Sequence, residues 1–235
     1  MEKKKIEEAI QKYLDVHGYE RMAVKAAMFD MDGVLFDSMK NHAKCWHETM
    51  AHFGMDLPEW EAYMHEGRTG AGTINLVSIR DRGCQATEEE IQNIYKYKSD
   101  LFNQCPKAER MPGAWEVLTQ IKEAGLIPMV VTGSGQTSLL DRLNQNFPDT
   151  FKRELMVTAF DVKYGKPNPE PYLMALKKGG LEPNEALVVE NAPLGVQAGV
   201  AAGIFTIAVN TGPLPDHVLL DQGANILFHS MTDFN

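Results

Sequence analysis

The sequence predicts an α/β protein in which a doubly wound parallel sheet is interrupted by an all-helical insertion. Three observations lead there. Beyond Pro112-Gly113, apolar runs of strand length alternate with helical segments, the pattern of a parallel sheet covered on both faces. A short apolar run at residues 24–29 lies well upstream and ends abruptly in Asp30-Met31-Asp32-Gly33. Between the two, the chain reads as helices punctuated by Gly54, Pro58, Gly67, Gly70, Gly72 and Gly83, with no strand pattern of comparable strength.

Taken in order, residues 2–17 place Ile6, Ala9, Ile10, Tyr13 and Leu14 on one helical face, which predicts a helix packed as an addition to the core. The first strand follows at 24–29, then the helical block. Next come a helix at 114–124, a strand at 127–131, a helix at 136–146 and a strand at 155–158. A helix at 170–178, a strand at 186–189, a helix at 194–201 and a strand at 204–209 complete the alternation. The expected organisation is an N-terminal helical extension (1–22), a core made of 23–37 and 108–235, and a helical cap (38–107).

Composition narrows the class. With 235 residues, 44% hydrophobic and 23% charged, the chain is globular rather than disordered. Its 23 Lys+Arg against 32 Asp+Glu give a net charge of −9, which argues against nucleic acid or an anionic membrane as the main partner. The most apolar stretch, 198–209, is too short to span a bilayer and is broken by Gly199, Gly203 and Thr206. The charged N-terminal pattern is unlike a signal peptide. Cys45, Cys84 and Cys105 are widely spaced without a Cys-x-x-Cys, so reduced thiols and a cytoplasmic location are expected. Oligomeric state is left open; a monomer would suffice.

In an open α/β sheet, sites form beyond the carboxyl ends of the strands. That edge gathers Asp30 and Asp32, then Thr132-Gly133-Ser134, then Lys166 in a Lys-Pro-Asn-Pro loop, then Glu190-Asn191. Hard oxygen donors, a hydroxyl beside glycine, and a lysine suit phosphoryl transfer through Mg²⁺. Asp30 is the candidate nucleophile and Asp32 the candidate acid/base. Thr132 and the backbone N–H groups of Gly133 and Ser134 are candidates to grip phosphate oxygens, and Lys166 is the fixed positive charge.

These motifs in this order, with a helical block after the first, resemble the haloacid dehalogenase superfamily over about residues 24–228. The resemblance implies a Rossmann-like core with a helical-bundle cap, a catalytic set of Asp30, Asp32, Thr132 and Lys166, and Mg²⁺ held by Asp30, Asp32, Glu190 and Asn191. The family usually has two acids where this chain has Glu190-Asn191. An amide oxygen still suits Mg²⁺ but adds no negative charge, so the metal should bind more weakly. The same change is compatible with a HAD-like binding protein that has lost turnover.

Within the superfamily the chain looks most like the β-phosphoglucomutase group. Asp37-Ser38-Met39-Lys40-Asn41-His42, followed by Trp46, is similar to the hinge and first cap helix of those enzymes, and two roles remain open for His42: a contact at the site, or packing on that helix. The mutases flank a cap segment with a lysine and an arginine that hold a second phosphate. Here those positions are Glu66 and Gly70, with Arg68 displaced between them. A cap carboxylate aimed at phosphate requires an intervening cation. The segment Met64–Gly70, with the strand-end loops, is similar to an inorganic pyrophosphatase of this group. The expectation is therefore a Mg²⁺-dependent phosphohydrolase acting on a small anionic phosphate, pyrophosphate foremost, with Glu66, Arg68, Gly133, Ser134 and His42 at the substrate; β-phosphoglucomutase is the alternative.

Overall fold

The computed structural model describes residues 2–135 and 139–234. Strand β1 (Ala26–Phe29) is buried at every position. It pairs in parallel with β2 (Ile127–Val130) on one side and β3 (Ala186–Glu190) on the other. β4 (Phe205–Val209) and β5 (Ile226–Phe228) extend the sheet beyond β3, giving the order β2-β1-β3-β4-β5, parallel throughout.

Side chains alternate across this sheet and feed two cores. Phe29, Val130 and Val189 face one layer with Val117 and Leu118 of α6 (Ala114–Glu123) and Leu143 of α7 (Leu139–Asn146). Met28, Met129 and Val188 face the other, with Tyr172 and Leu176 of α8 (Glu170–Gly179) and Ala198 of α9 (Pro193–Ala201). Helix α10 (Asp216–Leu220) adds Leu219 beside β4. The N-terminal helix α1 (Glu2–His17) lays Ile6, Ala9, Ile10, Tyr13 and Leu14 against Phe205, Ile207 and Phe228, the face its periodicity predicts. Tyr13 also donates to the Gly203 carbonyl at 2.8 Å.

Four helices fill the insertion: α2 (Met39–His52), α3 (Glu59–Met64), α4 (Gly70–Arg82) and α5 (Glu88–Gln104). They pack around their own core of Met50, Met55, Leu57, Ile74, Val77 and Ile94. Thr87 and Glu90 form a reciprocal capping box that starts α5.

One expectation is corrected, and one strand was not foreseen. The strand expected at 155–158 is a 3-10 turn, Arg153–Leu155, followed by a single parallel bridge between Val131 and Val157. It lies outside β2 at the sheet edge, where only one side offers a hydrogen-bonding partner. Strand β5 was not expected: three residues near the C-terminus are too few to show a periodicity. The predicted helix at 136–146 is seen from Leu139, and Gln136 itself lies outside the described residues. Among the described residues no helix is long and apolar enough to cross a membrane.

Candidate active site

Register places the site. Phe29 is level with Val130 on one side and Val189 on the other, so the residues just beyond them meet at one edge. The chain leaves β1 toward β2 and returns to β3 across it, which makes this edge a topological switch point.

Asp30 and Lys166 form the buried centre. The Lys166 ammonium donates to Asp30 Oδ1 at 2.5 Å and to the Val131 carbonyl at 3.0 Å, and pairs with Glu190 Oε1 at 2.6 Å. Burial penalises the ammonium, but the two carboxylates outweigh it and hold the lysine above its ordinary pKa. The other Asp30 oxygen accepts the Asp32 N–H at 3.0 Å. Burial, and then the neighbouring Glu190, push Asp30 up to about 7 despite Lys166. One ammonium does not neutralise this many carboxylates.

Asp32 behaves oppositely. Burial alone would raise it, yet His42 and Ser38 bring it well below the usual carboxylate range. Ser38 donates to Asp32 Oδ1 at 2.5 Å, and His42 Nε2 lies 3.3 Å from the same oxygen. His42 therefore reaches the site and also packs, stacking on Phe102 with ring centroids 4.1 Å apart. Its Nδ1 is 2.8 Å from the ammonium of Lys98, a lysine of α5 that is only 5% exposed. An ammonium can only donate, so Nδ1 accepts and Nε2–H donates to Asp32. The imidazole is thus neutral, in keeping with a pKa lowered by burial and by Lys98.

Glu66 descends from the loop between α3 and α4. Asn191 Nδ2 donates to its Oε2 at 3.0 Å, while Glu66 Oε1 and Asn191 Oδ1 are buried without a hydrogen-bond partner among the described residues. Burial, then Asp30, Asp32 and Glu190, hold Glu66 well above the ordinary value. The same loop sits backbone to backbone on the core. A Cβ on Gly67, at φ 81°, would fall 2.7 Å from Lys166 Cδ, and one on Gly133 would fall 2.9 Å from the Gly67 carbonyl. Arg68 is half-buried beside the cleft, its Nε unpartnered among the described residues.

The structure brings Asp30, Asp32, His42, Glu66, Arg68, Thr132, Gly133 and Ser134 to one cleft. The Ser134 N–H donates to Thr132 Oγ1 at 3.0 Å, closing the turn of the loop. Glu190 is held through one carboxylate oxygen. Its Oε1 is taken by Lys166 and by Tyr172 OH at 2.6 Å, and no group of three or more His, Cys, Asp or Glu among the described residues is arranged as a metal centre. Hard oxygens suited to a divalent cation remain in Asp30, Asp32, Glu66 and Asn191, two of whose buried atoms lack partners.

Sequence reasoning missed Lys98, Ser38 and Tyr172. A signal for Lys98 was present. It follows Ile91 and Ile94 at helical spacing, which puts a lysine on the apolar stripe of α5.

Comparison with known proteins agrees with this geometry. The pattern of haloacid dehalogenase-like hydrolases matches residues 27–209. Hexitol phosphatase A of Escherichia coli (strain K12) is 32% identical over 190 residues, covering 80% of this chain and 84% of that protein. A fructose-1-phosphate phosphatase of the same strain is 25% identical over 195 residues, covering 81% and 98%. Among solved structures, "Putative beta-phosphoglucomutase from Bacteroides vulgatus" superposes with a TM-score of 0.95 at 73% identity, covering 98% of this chain and 93% of that one. From strand register to sequence match, the chain belongs to the haloacid dehalogenase-like hydrolase family, among its phosphoryl-transfer enzymes.

Proposed function

We propose that the chain is a Mg²⁺-dependent phosphohydrolase that works through an aspartyl phosphate on Asp30, with inorganic pyrophosphate as its substrate. The observation behind this reading is Glu66: a buried carboxylate from the helical block, bonded by Asn191, with one oxygen unpartnered beside Asp30 and Asp32. A phosphate anion next to such a group requires a cation, and pyrophosphate is small, strongly anionic and normally metal-bound. Asp30, Asp32, Asn191 and Glu66 are the proposed ligands. When bound, Mg²⁺ supplies the positive charge that offsets repulsion between carboxylate and phosphate.

Asp30 attacks phosphorus, the bridging P–O bond breaks, and orthophosphate leaves. Lys166 stabilises charge on the transferring group while keeping Asp30 oriented. Asp32, hydrogen-bonded by Ser38 and His42, accepts a proton from the water that then cleaves the P–Oδ bond. His42, fixed as the Nε2–H tautomer by Lys98, holds Asp32 in place. The Thr132 hydroxyl and Gly133 N–H face the phosphate; Ser134 N–H joins them only by leaving Thr132.

A sugar phosphate is the second reading, favoured by the named substrates of the two phosphatase relatives. The experiment is a side-by-side assay of phosphate release from pyrophosphate, a hexitol phosphate, fructose 1-phosphate and β-glucose 1-phosphate with Mg²⁺. Pyrophosphate should give the highest kcat/KM. A higher value for any sugar phosphate reverses the assignment, and conversion of β-glucose 1-phosphate to glucose 6-phosphate without phosphate release would make the chain a mutase.

A further inference from the structure

Two of the three cysteines, 60 positions apart in the chain, meet at the base of the helical block. Cys45 Sγ lies 3.6 Å from Cys105 Sγ. Cys45 is buried in the middle of α2, whereas Cys105 is partly exposed and ends α5. We propose that this pair is an oxidation site, a dithiol that a hydroperoxide converts reversibly to an intramolecular disulfide, and that the bond slows turnover by tying α2 to the end of α5.

Geometry favours the pair over any other. The sulfurs are already in van der Waals contact, and a disulfide at about 2.05 Å needs an approach of only about 1.5 Å. Cys105 can supply that movement. It is the C-cap of α5 with an extended backbone, and its thiol makes only a weak contact with the Leu101 carbonyl at 3.6 Å. Cys84 is exposed and sits elsewhere, beyond the end of α4.

The chemistry has a natural order. The accessible Cys105 thiol meets the peroxide, breaks its O–O bond and becomes a sulfenic acid, releasing water or alcohol. Cys45 then attacks that sulfur, the S–O bond breaks, water leaves, and the S–S bond forms. The peroxide has been reduced by two electrons and the two thiols oxidised by two. A low-molecular-weight thiol reverses the step by exchange. Burial and the neighbouring Cys105 push the Cys45 thiol up to about 12, which leaves Cys105 as the first point of attack.

The effect on turnover follows from what else these helices hold. His42 lies three residues before Cys45 on α2, and Lys98 lies two turns before Cys105 on α5. A bond between the sulfurs therefore ties together the two helices that bring His42 and Lys98 into contact and, through His42, restrains Asp32. Asn41 of α2 also donates to the Pro106 carbonyl at 3.1 Å, so the constraint falls where the block rejoins the core. The link is independent of which phosphate is cleaved; only its effect on turnover rests on the reading of Asp32.

The test oxidises the full chain with hydrogen peroxide, blocks remaining thiols with an alkylating agent, and maps peptides without reduction. Expected are a Cys45–Cys105 linked peptide, an alkylated Cys84, and turnover lower by at least about threefold that dithiothreitol restores. Cys105→Ser should keep its turnover under the same treatment, and Cys84→Ser should lose it as wild type does. A link through Cys84, or Cys45 and Cys105 both still alkylatable, overturns the site. Full turnover in the linked protein overturns its effect. Measuring turnover on the best substrate of the phosphate panel keeps this result separate from the pyrophosphate assignment.

Discussion

Two lysines are buried beside the cleft, and the protein treats them in opposite ways. Lys166, in the core, is clasped by Asp30 and Glu190, and their charge holds its proton. Lys98, in the helical block, has no carboxylate within hydrogen-bonding distance among the described residues, and Asp32 acts on it only from further away. It lies against the rings of Trp46 and Phe102, at 5.3 and 4.8 Å from their centroids, and donates to a neutral imidazole. Burial brings its pKa down to about 8. In the proposed reaction the first lysine supplies charge where charge develops. The second, held by aromatic faces, fixes a tautomer one residue away from the chemistry.

Removing each charge should separate the two roles. Lys166→Met leaves Asp30 and Glu190 facing each other unneutralised. We expect kcat to fall roughly a thousandfold, and stability to fall by about 3–5 kcal/mol in urea titrations. A loss in kcat below tenfold would remove Lys166 from the reaction. Glu66→Gln should come next, weakening Mg²⁺ activation by about 10–100-fold in an assay titrated with metal; an unchanged metal requirement would detach Glu66 from the cation. Lys98→Met should lower kcat by roughly tenfold, with KM and folding stability nearly unchanged, whereas a loss as deep as that of Lys166→Met would mean that the ammonium itself reaches substrate.

The smallest effect is a matter of pH. The folded state holds a proton on Asp30 up to about pH 7, whereas the unfolded chain releases it near the ordinary value of 3.8. Between these values the unfolded state binds fewer protons, so the stability of the metal-free chain should fall as pH rises through this window and level off above it. We expect Tm to drop by about 5 °C from pH 5 to 8 in a chelator, and added Mg²⁺ to flatten the slope because the cation takes the proton's place. A metal-free Tm that rises over this range would refute the assignment of Asp30.

What the sequence made legible was whatever is local. The abrupt end of β1 in Asp30-Met31-Asp32-Gly33 pointed to the candidate site, and the periodicity of residues 2–17 marked the face of α1 that packs on the core. Lys98 was hidden because its partner is His42, 56 residues away, so its burial depends on how two helices meet. The surroundings of Glu190 were hidden in the same way. The sequence could not show that Tyr172 and Lys166 converge on the same oxygen. The Cys45–Cys105 contact was invisible for the same reason: only tertiary packing brings the sulfurs together.

The seam between Gly67 and Gly133 has a consequence for how the molecule closes. With no side chain at either position, nothing steric halts the loop before the two backbones touch. Opposition comes instead from Glu66, carried on that loop toward Asp30 and Asp32, and each positive charge entering the cleft reduces it. Seating of the helical block therefore depends on the charge beneath it as well as on the fit of the two backbones. An alanine at position 67 would add a mechanical stop, and closure would cease to report how much charge lies beneath it.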